Sequence, residues 1–253
     1  MPVKEMIFMA NWSDPRSGVA GFGNATTARG EAFDAGLRRY MLSVYNYMAS
    51  GVLLTGIVAL LFASSGLAYQ ILAGPGILKY VIMFAPLVFV MVLSFGINRL
   101  STATAQALYW VYAAVMGLSL SSIFLVYTGT SIAQTFFATA AAFAGLSLYG
   151  YTTKKDLSGF GTFLIMGVVG LFVAMLINLF LQSSALDLVI SCLGVLLFAG
   201  LTAYDTQKIK SIYAHVAGTD MMGKSVVMGA LNLYLDFINM FLFLLRFMGG
   251  SRD

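Results

Sequence analysis

Apolar residues occur along the chain in seven runs of about 20 residues, the length that an α-helix needs to cross the hydrocarbon core of a bilayer. Glycine, proline and charged residues separate the runs, as in Gly74-Pro75-Gly76 and Lys154-Lys155-Asp156. The predicted spans are Tyr40–Ala63, Tyr80–Ile97, Gln106–Tyr127, Ile132–Tyr151, Thr162–Gln182, Asp187–Thr206 and Ser225–Phe247. The pattern predicts an all-α polytopic membrane protein with seven transmembrane helices, the sixth of which can extend past Lys208 towards His215.

The composition supports a chain that is solvated by lipid. Hydrophobic residues make up 60% of the sequence and charged residues 9%, whereas a soluble domain carries about 25% charged residues. This deficit excludes a soluble globular enzyme, a disordered chain and a collagen-like repeat. The single cysteine, Cys192, and the single histidine, His215, exclude a disulfide framework, a cysteine-based zinc site and a multi-histidine metal cluster.

The segment before the first span is mixed, polar and interrupted by Pro2 and Pro15. We therefore expect residues 1–39 to form a loosely ordered tail and residues 40–253 to form the transmembrane domain. Most of the 14 Lys and Arg residues lie in this tail and in the second, fourth and sixth connections; Lys79, Arg246 and Arg252 lie on the other side. Because basic residues near helix ends stay in the cytoplasm, we expect a cytoplasmic amino terminus and a carboxyl terminus on the opposite side. Charge alone leaves open a topology of six spans and one re-entrant segment.

Asp236 is the one charged residue that lies far from every predicted loop, about 16 Å from either end of the seventh span. An ionised carboxylate at that depth costs on the order of 3 kcal/mol, so such residues are usually functional and face a polar interior. Asn232 and Asn239 lie on the same helical face, at i−4 and i+3. This polar stripe predicts that the seventh helix lies inside the bundle. A buried polar cluster that only fixes helix packing is the alternative.

Asp205 lies near the cytoplasmic end of the sixth span, with Thr202 on its face at i−3. The sixth and seventh spans are consecutive and hence antiparallel neighbours, so Asp205 and Asp236 can meet if the sixth helix continues beyond Gln207. Two carboxyl groups at hydrogen-bond distance cannot both ionise cheaply, and their titration belongs to the pair. The shared proton predicts a latch between the two helices at neutral or acid pH. At higher pH the ionised pair would suit a hard divalent cation such as calcium.

Arg99 ends the second span on the same predicted side of the membrane as Asp205. It is a possible counter-ion for Asp205 and a second latch, and an anchor to lipid headgroups is the equal alternative. We expect no cofactor other than calcium, as a bound or transported ion, with Asp205 and Asp236 as the candidate site.

At these positions the sequence resembles the Bax inhibitor-1 family, also called the transmembrane Bax inhibitor motif family, in its bacterial branch. The two matching segments are Gly200-Leu201-Thr202-Ala203-Tyr204-Asp205-Thr206-Gln207 and Ala230-Leu231-Asn232-Leu233-Tyr234-Leu235-Asp236-Phe237-Ile238-Asn239. The resemblance implies a seven-helix bundle with the last helix central and a pH-sensitive calcium leak. It also implies a paired-aspartate latch at Asp205 and Asp236, and a second-helix arginine at Arg99. Bacterial relatives of this kind are partners of a membrane-bound protease, and eukaryotic ones suppress cell death.

The function we expect is a pH-sensitive leak of calcium or related cations in a bacterial inner membrane. One alternative is a regulatory membrane protein that binds a membrane protease or another partner. A second alternative is an intramembrane aspartyl protease, and these proteases share a Gly-x-Gly-Asp motif. Here the segment Leu233-Tyr234-Leu235-Asp236 lacks both glycines, so we expect no enzymatic activity. The net charge of only +4 predicts no nucleic-acid partner.

Overall fold

The fold is a bundle of long helices, seen in a computed structural model that describes the backbone of residues 16–250 and the side chains of residues 30–250. The helices are α1 (Arg16–Ser64), α2 (Leu78–Gly96), α3 (Thr102–Leu120), α4 (Gly129–Thr152), α5 (Ser158–Leu181), α6 (Ser184–Val216) and α7 (Met221–Met248). A short π-helix at Tyr69–Ala73 follows α1, and a single turn at Ile123–Val126 follows α3. Within these residues, seven helices are long and apolar enough to cross a membrane, so the prediction of seven spans is confirmed.

Three of the helices have a serine or threonine as their N-cap residue. Ser101, Thr128 and Ser183 have extended backbones and accept a hydrogen bond from the backbone N–H three residues later, at the starts of α3, α4 and α6. Such caps satisfy N–H groups that have no partner within the helix. The start of each of these three helices is therefore fixed by its own side chain.

Two helices extend well beyond their predicted membrane spans. The first helix begins at Arg16 and not at Tyr40, so residues 16–39 continue the helix; residues 1–15 of the predicted tail lie outside the described residues. The division into a tail and a transmembrane domain stays a prediction. The sixth helix runs on to Val216, ten residues beyond the predicted end at Thr206. The continuation towards His215 that the sequence left open is thus confirmed.

The last helix is the central one, as predicted. In α7, 72% of the most apolar 18-residue window is buried, whereas the corresponding share in the other six helices is between 11% and 33%. Helices α3, α4 and α6 pack against α7, and the α6–α7 pair is the most extensive of these interfaces. Lipid gives no hydrophobic drive for helix association, so this burial depends on close packing and on internal polar contacts.

Small residues allow α6 to approach its neighbours closely. A Cβ atom at Gly150 of α4 would overlap the carbonyl oxygen of Ala203 on α6, and one at Gly161 of α5 would overlap the ring of Tyr204. On α6 itself, a Cβ at Gly194 would lie 2.5 Å from the ring of Phe243 of α7. Glycine at these positions therefore sets the distance between α6 and three other helices.

We expect Gly150→Val to destabilise the protein by about 2 kcal/mol or more, because the contact it would overlap is backbone and cannot rotate away. The measurement is the thermal unfolding midpoint of the protein in detergent. The matched control is Gly145→Val on the same helix, where a Cβ would meet nothing within 4 Å. Equal midpoints for the two variants would contradict the close α4–α6 contact.

Candidate functional site

The structure places Asp205 and Asp236 at similar depth in two antiparallel helices. Asp205 lies about 16 Å before the end of α6 at Val216, and Asp236 lies about 22 Å beyond the start of α7 at Met221. The connection between these two ends is only residues 217–220. Because α6 continues to Val216, Asp205 lies well inside the helix and near the level of Asp236.

Both carboxyl groups line one cavity of about 360 Å³ between α5, α6 and α7. Its lining residues are Val168, Leu171, Phe172, Met175, Phe198, Asp205, Asn232, Leu235, Asp236, Asn239 and Phe243. We call this space the carboxyl cavity, and we call Asp205 and Asp236 the carboxyl pair. The wall from α5 is entirely apolar, whereas α7 contributes a column of Asn232, Asp236 and Asn239. The cavity is therefore polar towards α6 and α7 and apolar towards α5, and it is large enough to hold several water molecules.

Asp236 is the more buried member of the carboxyl pair, with 4% of its surface exposed. Its Oδ2 atom has no hydrogen-bond partner among the described residues. Asp205 is half-buried, and its charge acts on Asp236. A buried carboxylate oxygen without a donor is costly, so this site favours a proton, a water molecule or a cation between the two groups.

The predicted supporting residues have different positions. Asn232 and Asn239 lie on the wall of the carboxyl cavity, and the Asn239 amide donates a 2.8 Å hydrogen bond to the carbonyl oxygen of Leu235. Thr202 is fully buried, and its hydroxyl donates to the carbonyl oxygen of Phe198 on its own helix. It is not part of the cavity lining.

The structure does not bring Arg99 to the carboxyl pair. Arg99 lies in the turn after α2, its side chain is exposed, and its backbone N–H donates to the carbonyl oxygen of Gly96. It is absent from the cavity lining. The cation that acts on Asp205 here is Lys208, which is one helical turn further along α6. A contact of Arg99 with Asp205 is thus not seen in this arrangement of the helices.

The oxygen ligands of the cavity are few for a calcium ion. Calcium takes six to eight oxygen ligands in proteins, and within residues 30–250 no group of three or more Asp, Glu, His or Cys side chains converges on one point. The carboxyl pair and the two asparagine oxygens offer a partial set that water can complete. The described residues therefore do not supply a complete set of calcium ligands by themselves.

Two aromatic rings close the carboxyl cavity on the side that faces the end of α7. Phe198 precedes Asp205 by two turns of α6, and Phe243 follows Asp236 by two turns of α7, so the antiparallel helices bring both rings to one level about 10 Å from the carboxyl pair. The rings are stacked, with centroids 5.9 Å apart and an interplanar angle of 22°. We call Phe198 and Phe243 the phenylalanine pair.

A second cavity of about 210 Å³ lies beyond the phenylalanine pair. Met175 of α5 lines both cavities. The guanidinium group of Arg246, which lines the second cavity, forms an ion pair with Asp187 at the start of α6. Its Nε atom donates a 2.9 Å hydrogen bond to Asp187 Oδ2, and Asn178 donates to Oδ1 of the same carboxylate. The carboxyl pair and the Arg246–Asp187 ion pair thus lie on opposite sides of the phenylalanine pair, which forms an apolar layer between them.

Sequence reasoning missed the phenylalanine pair and the Arg246–Asp187 ion pair. The seven-residue spacing from each aspartate to its phenylalanine places both on one face of their helices, and this repeated spacing was a usable signal. A signal existed for the ion pair as well, because Asp187 begins the predicted sixth span and Arg246 lies at the end of the seventh, and consecutive antiparallel helices bring these two ends together.

Comparisons with known proteins give one family model and several similar bacterial proteins. A family model described as "Inhibitor of apoptosis-promoting Bax1" matches residues 37–253. An uncharacterized protein of Rickettsia prowazekii is 50% identical over 229 residues, which is 90% of this chain and 96% of that protein. A protein of Caulobacter vibrioides is 49% identical over 87% of this chain and 92% of its own length. The inner membrane protein YbhL of Escherichia coli K12 is 47% identical over 86% of this chain and 94% of its own length.

Proposed function

The chain belongs to the Bax inhibitor-1 family, and from that premise we propose that it is a pH-sensitive leak channel for calcium and related cations, gated by the carboxyl pair. The observation that carries the proposal is the meeting of Asp205 and Asp236, from two antiparallel helices, in one cavity of the membrane interior. Intramembrane carboxyl groups that face a cavity are characteristic of ion pathways and proton-sensitive sites.

The proposed gate follows from the charge of the pair. When the two groups share one proton, the proton bridges α6 and α7 and holds them together. When both groups are ionised, two negative charges at short range repel each other across the helix interface. The same two charges then attract a cation into the cavity, where Asn232 and Asn239 add neutral oxygen ligands. The flux therefore rises with pH, since deprotonation both loosens the helices and strengthens cation binding.

The proposed path continues from the carboxyl cavity past the phenylalanine pair to the second cavity and the Arg246–Asp187 ion pair. Apolar constrictions in channels block ions because water leaves them. The stacked rings of Phe198 and Phe243 fit this description, whereas Met175 gives the two cavities a common wall on α5. In this scheme the carboxyl pair senses pH and the phenylalanine pair forms the barrier.

We propose transport rather than peptide hydrolysis for the two aspartates. Tyr234, two residues before Asp236, is fully buried against Tyr109 and Tyr112, and its hydroxyl forms a 2.6 Å hydrogen bond with Thr55. Tyr234 occupies the x position of the Gly-x-Gly-Asp motif. The two glycine positions are Leu233, which is fully buried, and Leu235, which lines the carboxyl cavity, so both carry bulky side chains here. We further propose a bacterial inner membrane location with the amino terminus in the cytoplasm, which the distribution of basic residues and the name of the Escherichia coli relative support.

The proposal predicts that calcium uptake into liposomes containing the purified protein increases between about pH 5 and pH 8, with a single sigmoidal transition for the pair. A calcium-sensitive dye inside the liposomes measures the initial rate, and empty liposomes give the background. A flux that is the same at all pH values would refute the pH gate. The absence of flux above background at any pH would refute the channel itself.

A further inference from the structure

Gln207, two residues beyond Asp205, holds the loop between α4 and α5 with both ends of its side-chain amide. Its Nε2 donates a 2.7 Å hydrogen bond to the carbonyl oxygen of Lys155. Its Oε1 accepts a 2.8 Å hydrogen bond from the backbone N–H of Leu157, the residue immediately before α5. A loop of five residues thus receives two hydrogen bonds from one side chain of α6.

Neighbouring contacts extend this attachment along the same face of α6. Ala203, Gln207 and Lys210 are spaced by four and three residues and hence lie on one side of the helix. Ala203 packs against Gly150, and the Lys210 ammonium group donates a 2.7 Å hydrogen bond to the carbonyl oxygen of Tyr151 near the end of α4. Asp205 lies about 200° around the helix from both Ala203 and Gln207, so the attachment and the carboxyl cavity are on opposite sides of α6.

Helix α5 depends on α6 for its position. Among helices α2 to α7, α6 is the one with which α5 makes an extensive interface. The two helices approach closely at this interface, since Gly161 lies against the Tyr204 ring and Gly167 against Leu197. The opposite face of α5 is exposed, as at Met166 and Val173. The amino-terminal end of α5 is thus fixed chiefly by its contacts with α6 and by the loop that Gln207 holds.

We propose that Gln207 is a positioning residue that couples the α5 wall of the carboxyl cavity to the Asp205 segment of α6. A movement of α6 that follows ionisation of the carboxyl pair is then transmitted through the Gln207 amide to the loop and to α5. Without the clamp, α5 is free to move away from α6 whatever the charge of the pair. This inference rests on the proposed function in treating the pair as the pH-sensitive element.

The charged and titratable groups around the carboxyl pair limit what else can cause a pH response. On α6 the nearest cation is Lys208, and on α7 the other polar lining residues are the uncharged Asn232 and Asn239. The lining residues from α5 are all apolar, and α3 presents the phenols Tyr109 and Tyr112 to Tyr234 of α7. In the loop itself, hydrogen bonds from Ser158 hold the pKa of Asp156 below its ordinary value. Asp156 therefore stays ionised across the pH range of the test.

The test measures access to the α5 wall rather than flux. In a Cys192→Ser background, Met175→Cys places a thiol on the wall shared by the two cavities, and a water-soluble maleimide reports its exposure. Rates are divided by those of Ser65→Cys, an exposed position between α1 and α2, to remove the pH dependence of thiol reactivity. In this background we expect the normalised rate to rise from about pH 5 to pH 8.

Adding Gln207→Leu removes both hydrogen bonds, and we expect the normalised rate at about pH 5 to increase roughly tenfold, to near its alkaline value. Gln207→Glu keeps an acceptor for the Leu157 N–H but not the donor, so its rate is expected to be intermediate. The matched control is Gln134→Leu, an exposed glutamine of α4, which is expected to behave as the background does.

Three results would overturn the inference. A Gln207→Leu protein that labels as slowly as the background at acid pH shows that the clamp does not hold α5. An equal increase at acid and alkaline pH shows a structural role without coupling. A background rate that does not change with pH shows that α5 does not respond to the pair. A different result would refute the proposed channel but not this inference. In that case the labelling follows these expectations, but the protein carries no calcium flux.

Discussion

Replacing Asp236 by Asn is expected to leave a low cation flux that no longer depends on pH. The Asn amide donates a hydrogen bond to the Asp205 carboxylate and carries no titratable proton, so the contact between α6 and α7 persists at alkaline pH. The substitution also removes one of the two charges that attract a cation. The wild-type flux is expected to change by about tenfold per pH unit on the acid side of the transition, as one titrating proton requires. At alkaline pH the Asp236→Asn flux should therefore be lower than wild type by a factor of ten or more.

The control for this variant is Asp220→Asn, the same substitution at an exposed residue just before α7. It changes the charge of the protein equally but leaves the carboxyl cavity intact, and its flux should titrate as in the wild type. Both variants are compared by thermal unfolding before flux is measured. An Asp236→Asn protein that is folded and still titrates like the wild type would contradict the assignment of Asp236 to the sensor.

The sequence alone was sufficient to predict the number of membrane spans, because the lipid environment requires each span to be apolar. A helix that crosses the membrane must be apolar over its whole length, so each span appears as a run of apolar residues. The same constraint makes Asp236 conspicuous, because a charge in such a run requires an internal partner. Asp205 required a second argument, from the antiparallel order of two consecutive helices, and the structure places both residues in one cavity.

Hydropathy could not predict where helices continue outside the apolar runs. Helix α6 passes through Lys208 and Lys210 because its far end is packed and hydrogen-bonded: Ile209 and Tyr213 are buried, and Lys210 reaches the end of α4. These contacts join residues that are far apart in the sequence, so a local hydropathy pattern does not predict them. The start of α1 was missed for the related reason that residues 16–39 are too polar to register as a span.

The sequence also could not predict the direction of a side chain at a helix end. Arg99 was predicted as a counter-ion of Asp205 from its place at the end of the second span, but α2 ends at Gly96 and a turn follows it. The orientation of Arg99 is therefore set by this turn and not by the helix, and its side chain is exposed. Similarly, the chain has 20 phenylalanines, and the choice of Phe198 and Phe243 depends on the approach of α6 and α7 that Gly194 allows.

Replacing Phe243 by Ala is expected to raise cation flux at acid pH and to weaken its dependence on pH. If the ring contributes to the barrier even the lower end of the transfer free energy of a buried aromatic side chain, about 1.5 kcal/mol, its loss increases the flux on the order of tenfold. Phe243→Leu keeps an apolar side chain in the constriction and is expected to leak less than Phe243→Ala. Because truncation of a buried ring also destabilises the fold, the unfolding midpoint of each variant is measured alongside its flux. The matched control is Phe247→Ala, on the same helix but exposed.

The double variant Asp236→Asn, Phe243→Ala separates the sensor from the barrier. If the carboxyl pair acts by holding the phenylalanine pair closed, removal of the ring makes the state of the pair irrelevant. The double variant is then expected to combine a high flux with no pH dependence, in contrast to the low flux of Asp236→Asn alone. A double variant with the low flux of Asp236→Asn would mean that the ions are stopped at the carboxyl pair itself. In that case Phe198 and Phe243 are packing residues of the α6–α7 interface, and the barrier lies at Asp205 and Asp236.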